Sequence, residues 1–320
     1  MVRQVILLVT IVIAVACAWV ATCGLGHYED VAAGVAYLED RSFERLSVVT
    51  VGTGGPYENP RRRGPATVLG FGARVVLVDA GRGVAEGLRA SEIPVRQPDT
   101  VFLTSLLPEN TVGLDDLLLT GWLAPRSTPV RLVGPRGTRA LAEALRAAHA
   151  PAVAARAEAL GLPAAGARFD VLEIADGWSD ADAGLGVRAA ATAGAPLASL
   201  AYRFEADGRS AVVSGAGPAS DAVVALARGA DLLVHEAFHT DSVELAIEAG
   251  ADDPERLRRE AALHTSLQEV AELAQRSGVR TLVLVRLRPP PLFDFQYTGR
   301  VGEAFSGRIS IARDGDLFTP

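Results

Sequence analysis

The strongest constraint on this chain's fold is a succession of short, nearly unbroken apolar runs with helical segments between them. The first half carries "LSVVTVG", "ATVLGF", "RVVLVDAG", "TVFLTS" and "VRLVGP". The second half carries "FDVLEI", "VRAAATA", "LAYRFEA", "SAVVSGA", "ADLLVHEAF", "TLVLVRL" and "RISIAR". Runs this short, rich in Val, Leu and Ile and bounded by Gly, Pro, Asp or Ser, read as strands whose faces are covered by other layers. Helices are expected at "RGVAEGLRA", "VGLDDLLLTGWL", "GTRALAEALRAAHA", "SDAVVALARG", "DPERLRREAALH" and "SLQEVAELAQRSG". The Ala-rich stretch 151–165 reads as helical, in a simple packing hairpin. Two strand-rich halves with helices outside predict an α/β fold, a four-layer αββα sandwich. A single doubly wound sheet is the alternative.

The N-terminus is a different kind of sequence. After Arg3 no charged residue occurs until Glu29. The apolar run 5–23 would span about 28 Å as a helix, close to the thickness of a bilayer core. It is longer than the apolar core of an ordinary cleaved signal, about 7–15 residues. Residues 1–24 are therefore expected to be a transmembrane anchor, with a cleaved signal as the alternative. Arg3 before the run and Glu29 and Asp30 after it favour an extracytoplasmic soluble part, and Trp19 suits an interface anchor. The residues before Cys17 and Cys23 fit a lipoprotein cleavage pattern poorly. Residues 25–45 read as a short helical linker and 46–320 as the folded domain. Both cysteines belong to the N-terminal segment, so the domain carries no disulfide and no thiol chemistry.

All 31 basic residues are Arg, and the net charge is −7. That balance gives no footing for a polyanion, so no nucleic-acid partner is expected. The tight basic run, Arg61 to Arg63, reads as a solvated loop.

Several motifs invite chemistry. "VGTGGP", 51–56, is a glycine-rich turn after a strand, but Pro56 and a polar loop follow where a phosphate-binding helix would start, so the phosphate-cradle reading is weak. "HEAFH", 235–239, has the spacing of a zinc-binding helix. Its surroundings are those of a strand, where residues four apart stand roughly 13 Å from each other. Asp79 ends a buried strand and either does chemistry or caps the following helix. His264 precedes a helix for which Thr265 or Ser266 is the N-cap, and a loop-holding role is the plain alternative.

Taken in order, "VTVGTGGPYENPRRRGPATVL", "VVLVDAGRG", "VFLTSLLPENTVGLDDLLLTGW", "LAYRFEADGRSAVVSGAG", "ARGADLLVHEAF", "HTSLQEV" and "TLVLVRL" resemble the metallo-β-lactamase fold, in its ribonuclease Z and arylsulfatase-like branch. The resemblance covers the chain from about residue 46 onward. It implies a di-zinc hydrolase whose metals sit at strand ends, held by an H-x-H-x-D-H turn, a later His, a bridging Asp and a final His. Zinc needs neutral imidazoles or anionic donors, and it turns a bound water into a nucleophile. Carried over residue by residue, the turn here is "TSLLPEN". Ser105 and Leu107 stand at the first two His positions, Glu109 at the Asp and Asn110 at the last His. The later His falls near Ala193, the bridging Asp at Ala216 and the final His at Arg286. Asp79, His235 and His264 match retained positions that bind no metal. Zinc is thus the family's cofactor, its ligands are replaced here, and no cofactor is expected.

Two main readings follow. One is a membrane-anchored pseudoenzyme that binds a small ligand or a protein in its cleft (Ser105, Glu109, Asn110, Arg286), with Arg286 filling the former metal space and pairing with Glu109 or Asp79. The other is an active hydrolase of phosphodiester or sulfate esters that works without metal and uses Glu109, His264 or His235 as acid or base. Ser105 as nucleophile lacks a histidine placed in sequence to activate it. tRNA 3′ processing is a third reading, opposed by the missing ligands, the anchor and the acidic charge. A homodimer is compatible with all three.

Overall fold

The computed structural model describes residues 2–35, 38–192 and 197–320. They form two compact units, Met1–Leu38 and Glu39–Pro320. The first is one helix, Val2–Val35. Its stretch Val9–Tyr28 has a mean hydropathy of 2.2 and is exposed along its length. The Thr22 hydroxyl bonds back to the Ala18 carbonyl at 2.7 Å, which satisfies a polar group inside an apolar run. The helix continues through Gly24 and Gly26, so the boundary expected at residue 24 is no break in structure. The linker is helical up to Val35 as a continuation of the same element, and the first strand begins at Phe43, not at residue 46.

Among its described residues the second unit holds fourteen strands in two seven-stranded sheets. They are β1 (Phe43–Gly52), β2 (Ala66–Gly72), β3 (Arg74–Val78), β4 (Thr100–Phe102), β5 (Val130–Gly134), β6 (Phe169–Glu173), β7 (Ser179–Asp182), β8 (Leu185–Thr192), β9 (Ser199–Ala206), β10 (Arg209–Val213), β11 (Leu232–Phe238), β12 (Thr281–Arg288), β13 (Arg308–Ile311) and β14 (Asp316–Phe318). The orders are β14-β1-β2-β3-β4-β5-β6 and β13-β12-β11-β10-β9-β8-β7. The run β3 to β6 is parallel, as is β10 to β13, and the remaining pairs are antiparallel. Two mixed sheets replace the single doubly wound sheet held as the alternative.

Side-chain alternation builds the layers. In β3, Val76 and Val78 point between the sheets, while Val75 and Leu77 point outward. In β12, Val283 and Val285 point between the sheets, while Leu282 and Leu284 point outward. Helices Val84–Ala90 and Leu114–Leu123 cover the outer face of the first sheet, and helix Leu267–Ser277 that of the second. Each such Val or Leu, fully buried, contributes about 1.5–3 kcal/mol. Phe102 from the first sheet packs on Tyr202 and Phe204 from the second at 5.2 and 5.5 Å between ring centroids. The Tyr202 hydroxyl donates to the Leu103 carbonyl at 2.8 Å and pins the two sheets at that point.

Some expectations need correction. The stretch 151–165 is not a hairpin: one helix runs Thr138–Leu160 with Pro151 inside it, and a short 3-10 turn, Ala164–Ala167, follows. The helix survives its proline because it lies on the surface, with only Thr138 and Ala142 buried. The run Arg61–Arg63 is solvated only in part: Arg61 is exposed, while Arg62 and Arg63 are half-buried. Arg62 Nη1 donates to Thr53 Oγ1 at 2.8 Å and to the Ala312 carbonyl at 2.7 Å, and Arg63 pairs with Asp314. These arginines brace the turn after β1 against the C-terminal segment.

Candidate functional site

Parallel strands end on the same edge, and β3 and β4 deliver Asp79 and the turn 103–111 side by side. Asp79 is held in the left-handed region, φ 60°, and its N–H donates to the Phe102 carbonyl at 2.8 Å. The Thr104 N–H donates to Asp79 Oδ1 at 2.8 Å, and the Thr104 hydroxyl lies 2.8 Å from Oδ2. The turn then enters a short helix, Pro108–Thr111, with Pro108 at its first position. That helix turns Asn110 inward, where its Nδ2 donates to Ser105 Oγ at 2.8 Å.

The other half of the site comes from the second sheet. Along β12, alternation would aim residue 286 outward at the helices. A bulge prevents this: Glu236 pairs with Val285 and Phe238 with Arg288, so β12 carries one extra residue between the two pairings. Arg286 adopts φ 50° there, and its N–H donates to the Thr53 carbonyl at 2.8 Å. Re-aimed inward, its Nη2 meets Asp79 Oδ2 at 2.5 Å and its Nη1 donates to Asn110 Oδ1 at 2.9 Å. The side chains of this pair are 7% and 1% exposed. Two non-glycine residues in the left-handed region thus meet in one buried ion pair. Each conformation costs about 1–2 kcal/mol. Burial pushes the Asp79 carboxyl above its ordinary range, and Arg286 and the Thr104 donors pull against that shift.

This arrangement settles where the sequence candidates lie. Ser105, Asn110 and Arg286 come together with Asp79, while Glu109 is half-buried outside the network and Arg286 pairs with Asp79, not with Glu109. Leu107 is half-buried on the turn and Ala216 stands beside Gly215. Gly215 has φ 75°, and a Cβ there would sit 2.8 Å from Thr104 Cβ, so only glycine permits this close approach. Ala193 lies outside the described residues. Ser105, Asn110 and Arg286 are buried, and the cavity beside Ser214, Ala216 and His235 measures about 10 Å³, room for roughly one water.

These residues do not fit zinc. A hydroxyl, a leucine, an amide, a methyl group and a guanidinium stand where the resemblance puts imidazoles and a carboxylate, and one carboxylate, Glu109, is not a zinc site. The guanidinium also sets a fixed positive charge where a cation would sit.

A second cluster lies along β11. His235 is buried, its Nδ1 is 2.7 Å from the Glu236 carbonyl, and burial pushes its pKa down. His239 packs edge-on against Tyr297 at 5.5 Å, so "HEAFH" gathers no metal pair. His264 Nδ1 is 2.9 Å from Glu236 Oε1, and the Gly217 N–H donates to the same oxygen at 2.8 Å. Burial works upward on the Glu236 carboxyl, but the His264 and Gly217 donors outweigh it and carry the pKa below its ordinary range. His264 Nε2 lies 2.9 Å from Arg288 Nη1, which also donates to Glu260 at 2.8 Å. A guanidinium can only donate, so the geometry fits an imidazole with its proton on Nδ1 and Nε2 accepting from Arg288. Glu236, Arg288 and Glu260 were not singled out from the sequence as a network. Their spacing has no motif, and only the Glu in "HEAFH" offered a hint.

A family model described as a Beta-lactamase superfamily domain matches residues 74–285. Ribonuclease Z of Mycobacterium sp. (strain KMS) is 33% identical over 274 residues, which cover 84% of this chain and 94% of that protein. Ribonuclease Z of Mycobacterium bovis (strain BCG / Pasteur 1173P2) is 31% identical over 275 residues, covering 84% and 96%. Among solved structures, the metallo-beta-lactamase fold protein YhfI from Bacillus subtilis superposes with a TM-score of 0.64 at 16% identity, covering 86% of this chain and 99% of its own. Human tRNase Z, short form, gives 0.60 at 22% identity, covering 86% and 99%.

Proposed function

The chain belongs to the beta-lactamase superfamily, on its ribonuclease Z branch, and from that premise we propose that it is a membrane-anchored pseudoenzyme that binds a ligand or partner. The observation that carries this reading is the Arg286–Asp79 ion pair, closed by Asn110, in the place where the resemblance puts the metals. A fixed guanidinium supplies the positive charge that the strand-end carboxylate needs, and it supplies neither a Lewis acid nor a bound water. In this reading the apolar helix Val2–Val35 is the anchor, which its length and composition support, and the order of Arg3 before it and Glu29 and Asp30 after it favours a domain outside the cytoplasm. Metal analysis of the purified full chain tests the reading. The expected zinc content is below about one tenth of an equivalent, and stoichiometric zinc overturns it.

The second reading, an active hydrolase of phosphodiesters or similar esters, has its own support. The curated relatives are named ribonuclease Z, and that name weighs toward this reading more than toward the first. The chain also keeps a buried Glu236–His264 pair of the kind used for proton transfer. The geometry opposes it at one atom, because His264 Nε2 is capped by Arg288. Zinc-free protein that cleaves bis(p-nitrophenyl) phosphate, and loses that activity on His264→Ala, would establish this second reading.

A further inference from the structure

Beside the His264 network lies a cavity of about 520 Å³, bordered by Tyr57, Phe238, Val243, Leu257, Arg288 and Pro290. That volume is in the range of small-molecule sites, and a mostly apolar wall with a few convergent polar groups is their usual composition. Arg288 is the polar group that matters. Its side chain is 13% exposed, and its hydrogen bonds to Glu260 and His264 both leave through Nη1. Its Nε is buried without a hydrogen-bond partner. A buried donor left in that state is destabilising, so an acceptor is called for. The Nε–Nη2 edge faces Gly55, at 3.3 and 3.5 Å from where a Cβ would stand. A side chain at 55 would crowd that edge, and it is the edge with which arginine grips a carboxylate or phosphate through two parallel bonds.

The rest of the cavity agrees with an anion that carries an apolar body. Arg288 and Arg256 border it, paired with Glu260 at 2.8 Å and Asp253 at 4.0 Å, and the Nε–Nη2 edge of Arg288 takes no part in its pair. The elements at its mouth hold large apolar side chains in solvent: Leu245 is 64%, Leu292 85% and Phe295 70% exposed. Exposed apolar side chains on the elements that line a cavity are surface that an apolar ligand chain could cover.

We propose that this cavity binds a single-chain amphiphile with an anionic head. The head lies on the Arg288 fork beside Gly55. The chain runs along Val243, Leu257 and Pro290 toward the exposed rim at Leu292. The inference rests on the reading of the chain as a ligand-binding homologue and names the class of its ligand.

The test is calorimetric titration of the full chain, held in an amphipathic polymer, with dodecanoate, dodecyl phosphate and dodecanol. One equivalent of dodecanoate or dodecyl phosphate is expected to bind at least tenfold more tightly than dodecanol. The tighter of the two tells a carboxylate head from a phosphate head. Arg288→Leu should remove that preference. Ala246→Trp, a change at an exposed lining position that leaves Arg288 and the core untouched, should weaken all three ligands at least tenfold with an unchanged melting temperature. Equal binding of dodecanol and the anions, or full binding by Ala246→Trp, overturns the proposal. Zinc content measured on the same preparation reports on the parent reading separately.

Discussion

Replacing Arg286 by leucine isolates what the ion pair does. The substitution keeps the left-handed backbone strain and the apolar stem but deletes the charge, leaving Asp79 Oδ2 with the Thr104 hydroxyl alone and Asn110 Oδ1 without its Arg286 donor. Breaking a buried pair at one end costs about 3–5 kcal/mol, because the surviving charge stays out of water. At about 2–4 °C per kcal/mol for a domain of this size, the melting temperature should fall by roughly 6–20 °C at pH 7. The pH dependence identifies the cause. Burial already raises the Asp79 carboxyl above its ordinary value, and loss of the guanidinium raises it further. A raised folded-state pKa means that the folded protein favours the protonated carboxyl. The penalty is therefore greatest above that pKa and fades as the pH falls through it. Thermal scans of the full chain from pH 8 to 5 should show the gap between variant and parent narrowing toward acid. Asp79→Asn in the same background should recover about 2 kcal/mol or more, a coupling within the range of contacting buried pairs. A loss below about 0.5 kcal/mol with no pH dependence would refute the view that Arg286 neutralises a buried carboxylate.

Glu236→Gln tests the second buried network. The Glu236 pKa lies below its ordinary value of 4.5, so it stabilises the fold above that value, and the contribution is lost as the pH falls through the depressed pKa. The variant should be less stable than the parent at pH 7 and lose less stability on acidification below 4.5, as read by urea midpoints at each pH. Ser266→Ala removes a capping box, in which Ser266 Oγ accepts from the Glu269 N–H at 3.2 Å and Glu269 returns a bond to the Ser266 N–H at 2.8 Å. The expected cost is about 1 kcal/mol, a fall of roughly 2–4 °C in melting temperature.

The layers of the fold were legible because strand periodicity is a local property. Val75 to Val78 alternate between the two cores as their pattern requires, and so do Leu282 to Val285. What stayed hidden has little apolar pattern. β7 is "SDAD", held by pairing to β8 and not by a buried face, and β14 is three residues that return to β1. The helix Thr138–Leu160 runs through Pro151, where a separate packing hairpin was expected. At the site, the resemblance located Ser105, Asn110, Ala216 and Arg286, but no local signal says that a bulge turns Arg286 inward or that Glu109 stays outside. The Arg288–Glu260–His264 network joins residues from separate elements, and only the folded chain shows it.

The geometry also bears on why an arginine occupies position 286. A carboxylate fixed at a strand end by two Thr104 donors, in a pocket that excludes water, has few ways to remain there once no divalent cation balances it. It can be lost from the sequence, hold a proton, or meet a permanent positive charge. Lysine would meet it with a point charge that sheds its proton readily when buried, whereas guanidinium stays charged and spreads its donors over a plane. Here the plane serves two acceptors from the same turn, Asp79 through Nη2 and Asn110 through Nη1. Asn110 in turn holds Ser105 and Thr104, so the arginine completes a closed ring of donors and acceptors and not a single pair. Such a ring is worth keeping only when every member is satisfied, because a half-satisfied one is worse than an apolar core. The replacements at 105, 110 and 286 therefore act as one unit. Reverting any one of them alone to histidine would open the ring without creating a metal site.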